Sequence, residues 1–538
     1  MTRPSSLRAF GSVVVFLAVC AGGGALLENR VGAQSAADEG QFRDSLKSFT
    51  SVYSLVEQNY ADPLHGDKSD AAIYDGAIPG MLRVLDPHSS FYDPKAYARM
   101  REDQHGRYYG VGMLIQPRGG KIYVVTPYEG TPSYKAGVRP ADIIAAVDGK
   151  PTDGLNSEQV AKELKGPKGT HVQVSFQRVG LDKPIVADLV RDQIPNPSVD
   201  LKYEIRPGVA YIHLKEFKET TAQEVNDAID SFGNLRGLIF DLRGNPGGLL
   251  SQAVEVCDHL LTKGQGIVSQ RGRAYPDQNY TATHGNGGHM FPIVVMVNRS
   301  TASAAEIVSG ALQDHDRALI VGEATFGKGL VQTVYNLNEE TGLALTTYHY
   351  YTPSGRLIQR NYAGVSLYDY YTNHAGAQPA DNSNREVKMT DAGRTVYGGG
   401  GITPDEKLDY PKSSHFQDLL LYDKQAFFFF VPHYMATHTV DKSFQVTPEV
   451  ISEFKKFLTT ENIPFTEADF KTNEDWLRIN LRQQMLSAQF GQLQGLRAVA
   501  DWDPMIQKAL TFLPEAQALE DNAHKVQVQK AQLEQLGR

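Results

Sequence analysis

The chain reads as a multidomain α/β protein, and three observations carry that reading. Between Val209 and Val334, short β-branched apolar runs alternate with segments of helical period, the pattern of strands buried on both faces and separated by helices. Residues 106–192 instead show short strand patterns cut by glycine turns, which predicts a small β-domain set ahead of the α/β region. On either side, residues 38–105 and 413–538 are mostly of helical period. A chain of 538 residues, 41% hydrophobic and 21% charged, is long enough for about three or four domains. Its net charge of −9 argues against nucleic acid as the main partner.

Residues 1–33 read as an export signal. Arg3 and Arg8 form the positive end, Ala9 to Leu27 is apolar or small without charge, and Val31-Gly32-Ala33 offers a small-residue cleavage site. An uncleaved membrane anchor is the alternative, because the run approaches the roughly 20 residues needed to span, although its glycines weaken it. Either reading places the protein outside the cytoplasm, in a bacterial periplasm or on the outer face of the inner membrane. With the signal removed, Cys257 stands alone and no internal disulfide forms. Its helical surroundings predict a buried, inert thiol.

Phe42, Leu46, Phe49, Val52, Tyr53 and Val56 predict one helix, Ala71 to Leu85 predicts a second, and Asp86 to Phe91 a turn. His88, a lone histidine beside proline, is expected to be structural. Within 106–192, Ile122 to Thr126 predicts a strand, and Ser157 to Leu164 a helix with Ser157 as its N-cap. Two prolines in Ile194-Pro195-Asn196-Pro197 predict a hinge-like linker that is neither helix nor sheet. Residues 361–397 read as an insertion or long loop. There Tyr368, Tyr370 and Tyr371 are placed either against substrate or in surface packing. Phe427 to Phe430 is expected to be core rather than a membrane contact. Glu515 to Arg538 predicts a polar helix, solvated or part of a subunit contact.

The chemistry concentrates between Asn298 and Gln332. The apolar run ending at Val297 is followed by small residues and then by helical spacing, so Ser303 falls at a strand-to-helix turn, where free N–H groups and the helix dipole favour negative charge. Lys328 follows a second buried run, Ala318 to Glu323. A serine and a lysine at the carboxyl ends of neighbouring strands can meet in one crevice. Serine is a weak nucleophile until a base takes its proton, and lysine is a base only when neutral. Bringing its pKa from about 10.4 to about 7–8 by burial corresponds to about 4 kcal/mol of bias against the charged form. The neighbours Phe326, Gly327, Gly329, Leu330 and Val331 carry no charge, and Gln332 can orient the amine without holding its proton. A third buried run, Gly237 to Arg243, leads into Gly244-Asn245-Pro246-Gly247-Gly248. A glycine-rich turn there presents N–H groups to an anion. With the N–H of Ala304 it would make a two-donor oxyanion hole.

Four motifs together, Asp241-Leu-Arg-Gly-Asn-Pro-Gly-Gly248, Ser300-Thr-Ala-Ser303-Ala-Ala-Glu306, Thr325-Phe-Gly-Lys328-Gly-Leu-Val-Gln332 and Tyr350-Tyr-Thr-Pro-Ser-Gly-Arg356, resemble those of the carboxy-terminal processing peptidases, also called tail-specific proteases. The resemblance runs from about Gln41 to Asp405, where Gly398-Gly-Gly-Gly-Ile-Thr-Pro-Asp405 also matches. It implies Ser303 as nucleophile, Lys328 as general base, Gln332 as the residue that holds the lysine, and Gly248 with Ala304 as oxyanion amides, Gly247 being the alternative to Gly248. Ala305 departs from the serine common there, with no effect expected. The implied core is a crotonase-like α/β fold at 193–412.

Tyr109-Gly110-Val111-Gly112-Met113 resembles the carboxylate-binding loop of a PDZ domain. Lys135-Ala-Gly-Val138 and Ala141 to Gly149 match the turn and strand that follow it. This implies capture of a protein tail by strand addition beside Gly110, Val111, Gly112 and Met113. The reaction implied is acyl transfer by an exported serine endopeptidase with no cofactor and no metal. Its partners are protein carboxy-terminal tails and no nucleic acid. A membrane tether through the N-terminal segment, a homo-oligomer and an activating partner protein stay open. A catalytically silent PDZ scaffold is the alternative function, and an acyl-transfer or hydratase-type enzyme acting on coenzyme A esters is a third. The joint presence of Ser303, Lys328 and Gln332 argues against the scaffold, and the peptide-binding domain argues against the third.

Overall fold

A computed structural model describes residues 36–62, 71–337, 340–372, 385–408 and 412–536. The expected signal or anchor at 1–33 lies outside these residues, as do 373–384 of the insertion. Two units are distinguished, divided between Met81 and Leu82. In the first, the helix predicted from Phe42 to Val56 spans Ala36–Asn59. The second expected helix opens as a π-turn, Ala72–Ala77, before the α-helical stretch Ile78–Arg83. Gly76 inside that turn fits the irregularity.

The second unit is built on a six-stranded sheet with the order Val199–Arg206, Val209–Leu214, Gly237–Asp241, Ile293–Val297, Leu319–Gly322 and Glu406–Lys407. The first pair is antiparallel and every other pair is parallel. Each crossover is a helix or contains one, Thr221–Asp230, Leu250–Leu260 and Ala304–Asp314 among them. Side chains alternate strictly along the strands. Leu238, Phe240, Ile293 and Val295 pack on those three helices. Ile239, Val294, Met296 and Val321 face the opposite way, onto Ala500, Met505, Ile506, Ala509 and Ala516 of the C-terminal helices. The polar helix expected near Glu515 forms as Leu513–Leu536 and turns Ala516 and Leu519 onto this face. Cys257 is fully buried in the first of these layers, and burial pushes its thiol up, as expected of an inert cysteine.

A second sheet is antiparallel and carries the other half of the crevice. Gly342–Tyr351 pairs with Ser90–Tyr92, with Gly266–Arg271 and with Leu330–Asn336. The β-domain forms a third sheet in the order Met113–Arg118, Lys121–Pro127, Ile143–Val147, His171–Gln177 and Ile185–Val190, and Ser157–Leu164 packs over its core. That helix is capped by Asn156, one residue before the expected Ser157, because Asn156 and Gln159 exchange backbone and side-chain hydrogen bonds in a capping box. The expected proline hinge is a two-stranded ribbon in which Asp192–Pro195 pairs with Arg107–Gly110 and Pro195 lies opposite Arg107. A proline at the end of a two-stranded ribbon sacrifices a single donor, so the ladder tolerates it.

The insertion contains a short helix, Leu367–Tyr371, and a hairpin, Val387–Met389 with Thr395–Tyr397. Phe427 and Phe430 are core of the C-terminal helical region, as expected. Among the described residues no helix is long and apolar enough to cross a membrane. Because Ala509 is fully buried between a C-terminal helix and the sheet, Ala509→Asp places an unpaired charge in that layer. It is expected to lower the melting temperature by 10 °C or more, on the order of several kcal/mol, while Lys508→Asp on the exposed side leaves it within about 2 °C. Thermal melts of the two variants check this.

Candidate active site

Three parallel strands of the six-stranded sheet end at the site. After Ile293–Val297 the chain turns through Asn298–Ala302 into the helix Ala304–Asp314, and Ser303 stands at its N-cap. Its φ of 56° and ψ of −116° are unfavourable for a residue with a Cβ, at a cost of about 1–3 kcal/mol. The turn is held open from outside. Thr301 Oγ1 donates to Leu242 O at 2.8 Å, and the Ala302 N–H donates to Asn245 O at 2.9 Å.

Glu306, three residues after Ser303 and fully buried, organises what surrounds the serine. Its Oε2 accepts from Ser303 N at 2.8 Å and from Lys328 N at 2.9 Å. Its Oε1 accepts from Thr325 Oγ1 at 2.5 Å and from Gly327 N at 2.7 Å. Burial raises its pKa to about 7, against the pull of these four hydrogen bonds. Ser303 and Lys328 therefore have their backbone N–H groups on a single oxygen atom, within two hydrogen-bond lengths of each other. The signal for this residue was present in the sequence as the Ser-x-x-Glu spacing of a capping box, which reaches back to the N-cap N–H.

Lys328 follows Leu319–Gly322 on the loop that enters Leu330–Asn336. Burial lowers its pKa, opposed by the negative charges of Glu306 and Asp86. Gln332, expected to hold the lysine, donates from Nε2 to Thr346 Oγ1 at 3.1 Å on the paired strand. Among the described residues no hydrogen bond joins Lys328 Nζ to Ser303 Oγ or to Gln332. Ser303 and Lys328 share Glu306 Oε2, whereas Gln332 is turned along its own sheet.

The turn after Gly237–Asp241 completes the crevice. Asp241, buried, receives Tyr211 OH at 2.7 Å and is spanned by the Arg243 guanidinium. Asn245 donates from Nδ2 to Leu214 O at 2.8 Å, and its Oδ1 accepts the Gly247 N–H at 2.8 Å. The Gly247 N–H is thus committed within the turn. Among the described residues no hydrogen bond takes the N–H of Gly248 or of Ala304. Gly247 has φ 97°, and a Cβ there would lie 2.7 Å from Ser303 Cβ and 2.8 Å from Ala304 N, so glycine is needed for this turn to touch the serine loop. Beside Gly247 and Gly248 a groove of about 360 Å³ opens towards Tyr92, Met100, Phe217 and Lys218.

The expected tail-binding loop lies between the ribbon strand ending at Gly110 and the edge strand beginning at Met113. Val111 and Met113 are buried. Val111 O accepts Ser133 N and Ser133 Oγ, and Gly112 O accepts Thr131 Oγ1. Met113–Arg118 is an edge of its sheet and the helix Ser157–Leu164 packs on the same core, so the loop opens between an unpaired strand edge and a helix.

The pattern of peptidase family S41 matches residues 208–366, and that of a PDZ domain matches residues 123–178. A carboxy-terminal-processing protease of Bartonella bacilliformis is 42% identical over 321 residues, 58% of this chain and 72% of that one. The carboxy-terminal processing protease CtpA of Bacillus subtilis is 34% identical over 312 residues, 57% of this chain and 66% of that one. Among solved structures, a photosystem II D1 C-terminal processing protease aligns at 26% identity over 67% of this chain and 92% of that one, with a TM-score of 0.34. This chain belongs to the carboxy-terminal processing proteases, the serine-type peptidases of family S41, and it carries their PDZ domain.

An amide cannot replace the Glu306 carboxylate, because its NH2 group would face two of the four donors. Each buried donor left unsatisfied costs about 1–3 kcal/mol. Glu306→Gln is therefore expected to lower the melting temperature by several degrees and proteolysis by about a hundredfold or more. Thermal melts and a cleavage assay check it, and an unchanged melting temperature would mean that the native carboxyl carries a proton.

Proposed function

We propose that this protease is an exported endopeptidase that captures the carboxy-terminal tail of a protein through its PDZ domain and cleaves the chain by Ser–Lys acyl transfer. The observation that carries the proposal is the shared oxygen of Glu306, which brings the backbones of Ser303 and Lys328 together at the carboxyl ends of adjacent parallel strands. Neutral Lys328 takes the hydroxyl proton of Ser303 as Oγ bonds to the scissile carbonyl carbon. The N–H groups of Gly248 and Ala304 hold the resulting oxyanion. The Lys328 ammonium then gives its proton to the leaving amine as the C–N bond breaks. Water, deprotonated by the same amine, releases the acyl-enzyme as a carboxylic acid and restores Ser303. Gln332 is the residue proposed to fix the amine, by leaving Thr346 when substrate fills the crevice. These steps call for no cofactor or metal.

Tail capture rests on the loop at Gly110, Val111, Gly112 and Met113, where an extended tail would add to the free edge of Met113–Arg118 with its carboxylate at the loop N–H groups. Export rests on the Arg3, Arg8 and Ala9–Leu27 pattern, which also allows a membrane tether.

The test is cleavage of an unfolded protein with an apolar tail by wild type, Ser303→Ala and Lys328→Arg. Cleavage by the wild type alone is expected at every pH, because an arginine does not deprotonate in a protein. Equal cleavage by wild type and Ser303→Ala would overturn the nucleophile. Silence of all three, persisting after a periplasmic extract is added as a source of an activator, would favour a scaffold. Gly112→Ala tests tail capture separately. Its Cβ would meet the Thr131 side chain at 2.4 Å, at φ 80°. It is expected to raise KM for a tailed substrate about tenfold or more with kcat little changed, and to leave cleavage of a tail-less peptide unaffected.

A further inference from the structure

His88 and two tyrosines of the insertion form a closed network against the loop that carries Lys328. Tyr371 OH donates its single proton to Pro87 O at 2.7 Å and lies 3.1 Å from His88 Nδ1. The tyrosine oxygen can only accept from that nitrogen, so Nδ1 carries the ring proton. Nε2 is then the bare nitrogen, and Tyr370 OH, 3.1 Å away, donates to it. Tyr370 OH in turn accepts from Gln359 Nε2 at 3.2 Å, and Gln359 Oε1 accepts the N–H of Gly329, the residue after Lys328, at 2.8 Å. Every hydrogen-bonding position of a neutral imidazole is filled and one tautomer is selected.

The same rings form a wall. The His88 ring meets Phe326, two residues before Lys328, edge to face at 6.4 Å, and Tyr371 stacks on Phe326 at 6.1 Å. Tyr370 is 1% exposed. The Arg360 guanidinium lies 4.0 Å from the centre of Phe326 and 4.2 Å from that of Tyr370, and closes the far side.

We propose that His88 is a positioning residue of the acyl-transfer site, locked neutral by Tyr370 and Tyr371 of the inserted helix so that the wall beside Lys328 stays dry. The proposal rests on the Ser303–Lys328 reading above. The groups facing His88 from every packed element are Asp86 on its own turn, Lys328, Arg360, Tyr370 and Tyr371. Burial, Lys328 and Arg360 lower the imidazole pKa to about 3 against the pull of Asp86. His88 therefore exchanges no proton in the working range and does not compete with the lysine as a base. Its contribution is exclusion of water. Burial is the largest cause of the lowered pKa of Lys328, and water admitted to the wall would stabilise the ammonium form.

The experiment is the pH dependence of Ser303 acylation by a fluorophosphonate probe, measured on the full-length chain. His88→Ala is expected to move the acid limb to higher pH by about one unit, with about tenfold slower labelling at pH 7 and a similar plateau at high pH. His88→Phe refills the volume and is expected to return the midpoint towards wild type. An unmoved midpoint with a uniformly lower plateau in His88→Ala would overturn the proposal, as would a His88→Phe midpoint displaced as far as that of His88→Ala. Should His88→Ala fail to fold, the double variant Tyr370→Phe, Tyr371→Phe carries the test, an upward shift supporting the proposal and an unmoved midpoint overturning it. Labelling that persists in Ser303→Ala or Lys328→Ala would instead overturn the Ser–Lys reading, so the two failures are distinguishable.

Discussion

The site depends on one buried carboxylate. Glu306 comes from the helix that follows Ser303, and its four donors come from the single loop Thr325–Lys328 and from its own N-cap. A charge buried without partners would cost several kcal/mol, so the fold holds only if those donors converge. Their convergence sets Ser303 and Lys328 in register. The strained backbone of Ser303 is one consequence, since its N–H must point back at the carboxylate while its carbonyl accepts the N–H groups of Glu306 and Ile307. The electrostatic tension is another. An ionised Glu306 favours a charged lysine, whereas the proposed acyl transfer needs a neutral one. Backbone donors that spread the carboxylate charge, and a dry wall on the other side of the amine, act on the same balance.

Much of this was legible in the sequence, and the reason is local. A buried parallel strand reads as a short β-branched run whatever its neighbours, and a turn that must approach another backbone reads as glycine. The runs Gly237 to Arg243, Pro292 to Asn298 and Ala318 to Glu323 therefore pointed to the crevice, and Gly247-Gly248 to the turn beside Ser303. What the sequence concealed is non-local. Asn245 binds Leu214 O and the N–H of Ala302, and Asp86 fixes a turn more than 200 residues before Lys328, with its Ser89 neighbour accepting Thr346 N. No periodicity marks such pairs. His88 was expected to be structural, and its place beside the Lys328 loop depends on the pairing of Ser90–Tyr92 with Gly342–Ala344, which spacing alone does not reveal. Tyr368, Tyr370 and Tyr371 were indistinguishable in the sequence. In the fold Tyr370 is buried and Tyr368 is 70% exposed, because a single helical turn points them to different sides.

The helical C-terminal region shows where segment-by-segment reading is least informative. A chain stretch with helical period gives no hint of what its apolar stripe covers. Here Met505, Ile506, Ala509 and Ala516 cover the second face of the six-stranded sheet, so helices some 200 residues beyond Lys328 complete the layer under the catalytic strands. The same region reaches the PDZ domain. Gln425, at the N-cap of Ala426–Met435, adopts φ 45° and ψ 46°, and its Oε1 accepts from Gln116 Nε2 at 3.1 Å and Arg118 Nη1 at 2.6 Å. Phe429 lies against Tyr123 and under the Arg118 guanidinium.

The PDZ domain is therefore held by the ribbon at Arg107–Gly110 and Asp192–Pro195, by ion pairs of Glu158 and Lys165 with Lys95 and Glu102 of the helix Pro94–Gln104, and by the sheet face on the helix after Gln425. A domain held only by a proline linker would swing freely about it. A paired ribbon, ion pairs and a charged, aromatic contact restrain it instead. A non-glycine residue in the left-handed region is a natural place for such a contact to yield, because releasing the Gln116 and Arg118 bonds also lets Gln425 leave a backbone conformation that costs energy to hold. Met113 opens the strand that carries Gln116 and Arg118, three and five residues further along. The loop proposed to receive a tail thus runs directly into the strand that carries the Gln425 contact, and the rigidity of the strand is what joins them.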